Sequence, residues 1–326
     1  MPKFRMSLAG NHLTTILFHR FFFSGENANV SRDRLKRQCD WLVETFNPIR
    51  LPELNCGLTS KLPRYPLLVT IDDAKVEILR VLDIFESFSI PVAIFACVGW
   101  CAQEEPCTAD PHVLLARLVA EIQWYRGPPK TIRVGQKLLL VGDGIPVADA
   151  IDNILNYATF NDMDPADLSS IFFENFRRKN VSCTLRELSE IQSHLVTIGG
   201  HSISHINLAT ASSVRLGFEI SETRRILSDE LGECTAFAYP YGMHGTFNSA
   251  TTQEIVQAGF RSAFLSHSDF AGPDTDRFHI PRISLPDRAL SQPEFRARVA
   301  GASVVYRKIQ QTFLRPQEYW SRTSNP

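Results

Sequence analysis

The amino-acid sequence predicts a parallel α/β fold interrupted by a mostly helical insertion. Three observations predict it. Short apolar runs of strand length alternate with stretches of helical periodicity, the order expected when parallel strands are joined by crossover helices. Titratable and metal-competent residues directly follow several of those runs, and in such folds chemistry gathers where the strands end. Between Gly99 and Asn180 the alternation stops.

The elements follow in order. TTILF (14–18) is the first strand, and SRDRLKRQCDWLVETF has helical spacing. That helix is expected to start at Ser31, where Arg34 instead of Glu or Gln leaves the capping box incomplete. LLVTI (67–71) and VAIFA (92–96) are strands separated by the helical stretch VEILRVLDIFESF. In the insertion, HVLLARLVAEIQWY, VADAIDNILNYATF and PADLSSIFFENFRRKN are helical by spacing, and KLLLVG alone resembles a strand. The alternation resumes with LVTIG (195–199), VRLGFEISETRRILSDEL, TAFAY (235–239), NSATTQEIVQAG, SAFLS (262–266) and RISL (282–285). Residues 1–99 and 183–290 thus form one α/β unit, 100–182 the insertion, and 291–326 a helical extension ending in the polar tail SRTSNP.

Composition narrows the function. With 326 residues, 44% of them hydrophobic, the chain can bury a large core. A formal net charge of -1 leaves no basic footprint for nucleic acid. No run reaches the length of a membrane span and the first residues do not pattern as a signal peptide, so a cytoplasmic protein is expected. Cys39, Cys56, Cys97, Cys101, Cys107, Cys183 and Cys234 are odd in number and scattered, as reduced thiols are. The spacing of Cys97, Cys101 and Cys107 fits no common zinc knuckle.

The strand ends carry the chemistry. Asp72 and Asp73 follow LLVTI, and two adjacent carboxylates at a buried strand end repel unless a cation is present. The plainer reading is that Asp73 caps the next helix. In GGHSISH, His201 and His205 are four apart, so on a helical turn both rings face one way and can hold a divalent metal. One aspartate would complete a two-histidine, one-carboxylate set with open positions, and the other would stand beside it as a general base. FAYPYG (237–242) patterns as a tight turn able to aim a backbone N–H at a developing oxyanion. His19 follows TTILF and His267 follows SAFLS, on the same rim.

These motifs together resemble the polysaccharide deacetylase family, also called the NodB-homology family or carbohydrate esterase family four. The resemblance runs through TIDDA, SIPVAIFA, TIGGHSISHINLA, FAYPYG, QAGFRSAF and FHIPRISL, and LFHR resembles the start of a branch that includes exopolysaccharide de-N-acetylases. It implies a distorted (β/α) barrel with fewer than eight regular units. It implies Asp72 as general base, Asp73, His201 and His205 as metal ligands, and the Tyr241 N–H as oxyanion donor. It also implies one divalent ion, usually zinc, with cobalt or nickel as substitutes. Ala74 and Lys75 replace the family's usual glycine and aromatic after the aspartate pair. Ala238 replaces the arginine of its RxPYG motif, which leaves Arg282 to orient Asp72. No late Leu-x-His matches, so His19 is the preferred acid. Pro240, Tyr239 and His267 are taken as substrate-binding positions.

The expected activity is metal-dependent hydrolysis of an N-acetyl or N-formyl group on an amino sugar. The expected substrate is intracellular: an oligosaccharide, a nucleotide sugar or a lipid-linked glycan. The rival readings are hydrolysis of a non-sugar amide or cyclic ureide on the same barrel, and a scaffold-type pseudoenzyme. The insertion leaves from the active-site end and is expected to cover the mouth, with a remote packing element as its rival.

Overall fold

A computed structural model describes residues 12–56, 58, 62–101, 111–125, 127–134, 137–142, 145–148, 151–152, 154–155, 182–302 and 304–305. Its centre is a parallel sheet in the order β10-β1-β3-β4-β7-β8-β9, formed by Thr14–Phe18 (β1), Pro66–Asp72 (β3), Val92–Ala96 (β4), Val196–Gly200 (β7), Ala236–Ala238 (β8), Ser262–Phe264 (β9) and Ile283–Ser284 (β10). A two-residue strand, Asn47–Pro48 (β2), pairs with the start of β3. The sheet curls until one segment touches both its edges. Ile280 bridges Phe264 of β9, and Ile283 pairs with Ile16 of β1. The expected strands are therefore present, most with ends shifted by one or two residues, in the distorted (β/α) barrel arrangement.

Period-two alternation decides what each strand places inside. Leu68, Ala93, Phe95, Ala236, Ala238 and Phe264 make an inner cluster, while Val69, Ile71, Ile94, Ile198 and Phe237 pack outward against helices. Gly199 makes room for this interior, since a Cβ there would lie 2.6 Å from the Phe95 ring. Along β3, the inner positions Leu68, Thr70 and Asp72 climb toward the C-terminal end of the barrel.

Two helix starts and part of the insertion differ from the sequence reading. Helix α1 (Ala28–Thr45) starts before Ser31, because the Asn27 side chain accepts the Asn29 N–H at 2.8 Å and caps it. Ser31 donates instead to Glu26 at 2.6 Å. Asp73 caps nothing: residues 73–74 form a turn, a 3₁₀ segment spans Val76–Arg80, and α2 begins at Leu82 (Leu82–Ser87). An unexpected short helix, α3 (Val98–Cys101), enters the insertion; α4 (Pro111–Trp124) is helical as expected, and the expected strand Lys137–Val141 (β6) pairs with an unexpected one, Lys130–Val134 (β5), in an antiparallel hairpin. KTIRV (130–134) lacks the apolar run of a strand because Lys130 and Arg133 interrupt it. The expected helix PADLSSIFFENFRRKN lies outside the described residues.

Helix α5 (Leu185–Ile191) precedes β7, and after β7 come α6 (Ser213–Gly217), a π-helical turn (Phe218–Glu222) and α7 (Thr223–Leu231), these three continuous. Helices α8 (Ser249–Gln257) and α9 (Gln292–Val299) complete the outer layer. Cys39, Cys97, Cys101, Cys183 and Cys234 are free and buried, in keeping with reduced structural thiols. Among the described residues no helix is long and apolar enough to cross a membrane.

Candidate active site

The C-terminal ends of β3, β7 and β8 meet around Asp72, which is almost fully buried. Arg282 reaches it from the closing segment with two parallel contacts, Nη1 to Oδ1 and Nη2 to Oδ2, each 2.7 Å. The guanidinium is itself fixed, since Nε donates to the Leu265 carbonyl at 2.7 Å and Nη1 to Thr70 at 3.3 Å. Burial alone would raise the Asp72 pKa. Arg282 outweighs it, helped by His201 and His19, and the carboxyl is held down at about 2. A depressed carboxylate of this kind contributes stability above its unfolded pKa of about 3.9 and loses that contribution as pH falls through about 2.

Asp73, His201 and His205 lie beside it, with one ligand atom from each all within 4.8 Å of one another. His201 Nε2 is 3.7 Å from Oδ1 of Asp73, and so is His205 Nε2. The His201 Nδ1 sits 2.7 Å from the Ala238 carbonyl, which can accept only from a protonated Nδ1. That fixes the tautomer and leaves the Nε2 lone pair facing the aspartates. Asp73 Oδ1 and His201 Nε2 are buried with no hydrogen-bond partner. Two orphaned acceptors that converge on one point are costly unless a cation joins them, so the donor set fits a divalent ion. Burial and neighbouring His201 hold the His205 pKa down at about 4, against the pull of Asp73 and Asp72. Its ring is thus neutral near pH 7, the state a ligand needs.

The two histidines converge by a route other than the expected helical turn. β7 ends at Gly200, and the loop that follows has left-handed backbone at Ser202 (φ 65) and His205 (φ 53). Among the described residues seven non-glycines have positive φ, and Asp73, Ala74, Ser202, His205 and Tyr241 all stand at this site. Such backbone persists only where surrounding contacts enforce it. For the histidine loop the enforcer is Glu219, fully buried in the π-helical turn. Its carboxylate accepts the N–H of Ile203 and of Ser204, both at 2.9 Å, and pairs with Arg215 at 2.7 Å. Arg215 in turn donates to the Ser204 hydroxyl at 2.7 Å.

The FAYPYG turn is tight and left-handed at its end. Tyr241 has φ 61 and Gly242 φ 55, and a Cβ on Gly242 would lie 2.5 Å from the Ser266 nitrogen. No protein acceptor takes the Tyr241 N–H among the described residues, while its ring meets His205 edge-on at 4.6 Å. Tyr239 is fully buried, with its hydroxyl donating to the Phe278 carbonyl at 3.0 Å and its ring against Phe247. Pro240 is buried in the turn, and the His267 carbonyl accepts the Arg282 N–H at 3.3 Å. His19 is half-buried at the end of β1, within electrostatic reach of Asp72.

The sequence alone suggested no role for Glu219, Arg215, Lys75, Trp100 or Trp124. Lys75 pairs with Asp73 at 2.8 Å. Trp100 stacks on His205 at 5.5 Å, and Trp124 of α4 donates to the Ser204 carbonyl at 2.5 Å. Helix α4 of the insertion therefore stands beside the histidine loop. The one available signal was a pair of charges, Arg215 and Glu219, inside an otherwise apolar helical face.

A curled parallel barrel thus carries an arginine-held aspartate beside an Asp-His-His cluster at its strand ends. The family model for polysaccharide deacetylase matches residues 157–263. No curated protein matches the chain. Three solved structures share the fold. IcaB from Ammonifex degensii has 18% identity and TM-score 0.54, covering 90% of this chain and 97% of that one. The BpsB deacetylase domain from Bordetella bronchiseptica has 16% identity and TM-score 0.52, covering 85% and 97%. The Streptococcus pyogenes deacetylase PplD in complex with acetate has 12% identity and TM-score 0.53, covering 85% and 93%. The resemblance to the polysaccharide deacetylase family therefore rests on residues 157–263, and the shared fold agrees with it.

Proposed function

We propose that this protein is a metal-dependent hydrolase that removes an N-acetyl or N-formyl group from an amino sugar in a glycan or glycan precursor. The observation that carries the reading is the pair of buried, unpartnered acceptors on Asp73 and His201, converging with His205 beside Asp72. Asp73, His201 and His205 would hold one divalent ion, zinc by the chemistry of the donors. The chemistry such an ion supplies when bound is Lewis acidity toward an acyl carbonyl and toward water, whose pKa falls from about 16 to roughly 7.

The chain's own groups do the rest. Asp72, ionised and fixed by Arg282, takes a proton from the attacking water at a carboxylate oxygen. With its pKa held at about 2 it is a weak base, so the acidity of the water must provide most of the driving force. The Tyr241 N–H, on a strained turn and unclaimed, donates to the oxyanion of the tetrahedral intermediate. Trp100 and Tyr241 flank the His205 ring, at 5.5 and 4.6 Å between centroids, and offer aromatic surface suited to a sugar face. Purified protein should hold about one ion per chain and release amine from N-acetylated amino-sugar oligomers, with both metal and activity removed by chelation and restored by zinc. Protein that binds no divalent ion, or that binds one and leaves every acetylated or formylated amino sugar intact, contradicts the proposal.

The leaving amine needs a proton, and His19 on the rim is the candidate donor. His19→Ala should slow an acetamide substrate much more than an ester analogue, because an alkoxide-type leaving group from an activated ester needs less protonation than an amine. General acid catalysis sets the scale at about a hundredfold or more on the amide. Equal losses on both substrates would reject His19 as the acid.

A further inference from the structure

We propose that Lys75 is a positioning residue that keeps Asp73 a one-oxygen metal ligand, moderating metal affinity and leaving coordination positions open. The inference rests on the metal reading above.

The two oxygens of Asp73 have separate surroundings. Oδ2 meets the Lys75 ammonium at 2.8 Å, in a pair whose side chains are only 13% and 27% exposed. Oδ1 has no hydrogen-bond partner and lies 3.7 Å from both His201 Nε2 and His205 Nε2. One oxygen is thus offered to the cluster and the other is withheld. The root of the lysine is fixed as well. Asp73 and Ala74 are held at φ 69 and φ 47, Cys183 donates to the Ala74 carbonyl at 2.7 Å, and Lys75 forms an antiparallel bridge with Ser182. The side chain therefore departs from a turn pinned to the residues where the chain re-enters after the insertion.

Charge makes the consequence specific. Arg282 already balances Asp72, and Lys75 balances Asp73. A divalent ion entering this cluster meets an additional positive neighbour. At water-like dielectric, one unit charge about 6 Å from a divalent ion weakens its binding roughly tenfold. A lysine that merely propped up the turn would act with the opposite sign, since losing an outer partner of a ligand typically weakens metal binding about 10–100-fold.

The test uses the full chain loaded with Co²⁺, comparing wild type, Lys75→Met and Lys75→Arg by chelator competition and visible absorption. Lys75→Met should bind Co²⁺ about tenfold more tightly. Its d–d bands should weaken as the freed Oδ2 joins the coordination sphere, and kcat on an acetylated amino sugar should fall with KM little changed. Lys75→Arg, which keeps the cation, should restore the wild-type affinity and spectrum. Unchanged or weaker binding by Lys75→Met, or an unchanged spectrum, overturns the inference while leaving the metal reading intact. Wild-type protein that fails to bind Co²⁺ overturns both.

Discussion

Replacing His201 and His205 together by alanine should lower the metal content from about one ion per chain to near zero and abolish deacylation. The effect is large because both imidazoles and Asp73 address one point, and a single carboxylate cannot retain the ion. The fold should survive, since both histidines lie past the last residue of β7 and the loop between them is anchored by Glu219. Metal analysis, circular dichroism and the amine-release assay on one preparation separate loss of metal from loss of structure. Retention of full occupancy by the double variant would eliminate the ligand set. Acid should mimic the substitution. Without an ion His205 is neutral above about pH 4, so below that value protons compete for its ring and the affinity for the ion should fall progressively. The direction is unambiguous: metal is held on the alkaline side and lost on the acid side.

Asp72→Asn should keep the ion and lose about a hundred- to ten-thousand-fold in turnover. The amide can still accept a hydrogen bond from Arg282, yet it cannot take a proton from water. It also leaves a fully buried guanidinium without its counter-charge, and breaking a buried pair from one side typically costs about 3–5 kcal/mol. A lowered melting temperature should therefore accompany the kinetic loss, and turnover must be compared at a temperature where both proteins are folded. Asp73→Asn is the control, since it should lose the ion. An Asp72→Asn protein that sheds metal as readily as Asp73→Asn would overturn the division of labour between the two carboxylates.

Much of this site was legible because its signals are local. LLVTI, VAIFA and LVTIG read as strands from their apolar runs, and the residues after them were certain to share one rim once the strands were parallel. The departure at Ala238 even pointed to Arg282, and the structure does place that guanidinium on Asp72. Other features had no local signature. The hairpin strand Lys130–Val134 is too interrupted by charge to stand out beside KLLLV, and the histidine loop was expected to be helical because a four-residue spacing mimics a helical turn. Tyr239 looked available as part of the exposed-seeming turn, yet its hydroxyl is spent on the Phe278 carbonyl.

What the sequence by itself determined is the alternation of strand and helix, the direction of the strands, and the gathering of Asp72, Asp73, His19, His201 and Tyr241 at one end of them. Period and spacing along a few residues suffice for that. Which polar group meets which was decided by the tertiary structure. Arg282 and Asp72 are 210 residues apart in the chain and touch because the sheet curls until the segment around Ile280 joins both edges. Glu219 acts on the histidine loop through a π-helical turn that no pattern announced, and Lys75 claims one oxygen of Asp73 through two left-handed residues that glycine would more readily supply. Side-chain partners are chosen by burial: a charge removed from water must find its counter-charge within about 3 Å, wherever in the chain that counter-charge lies.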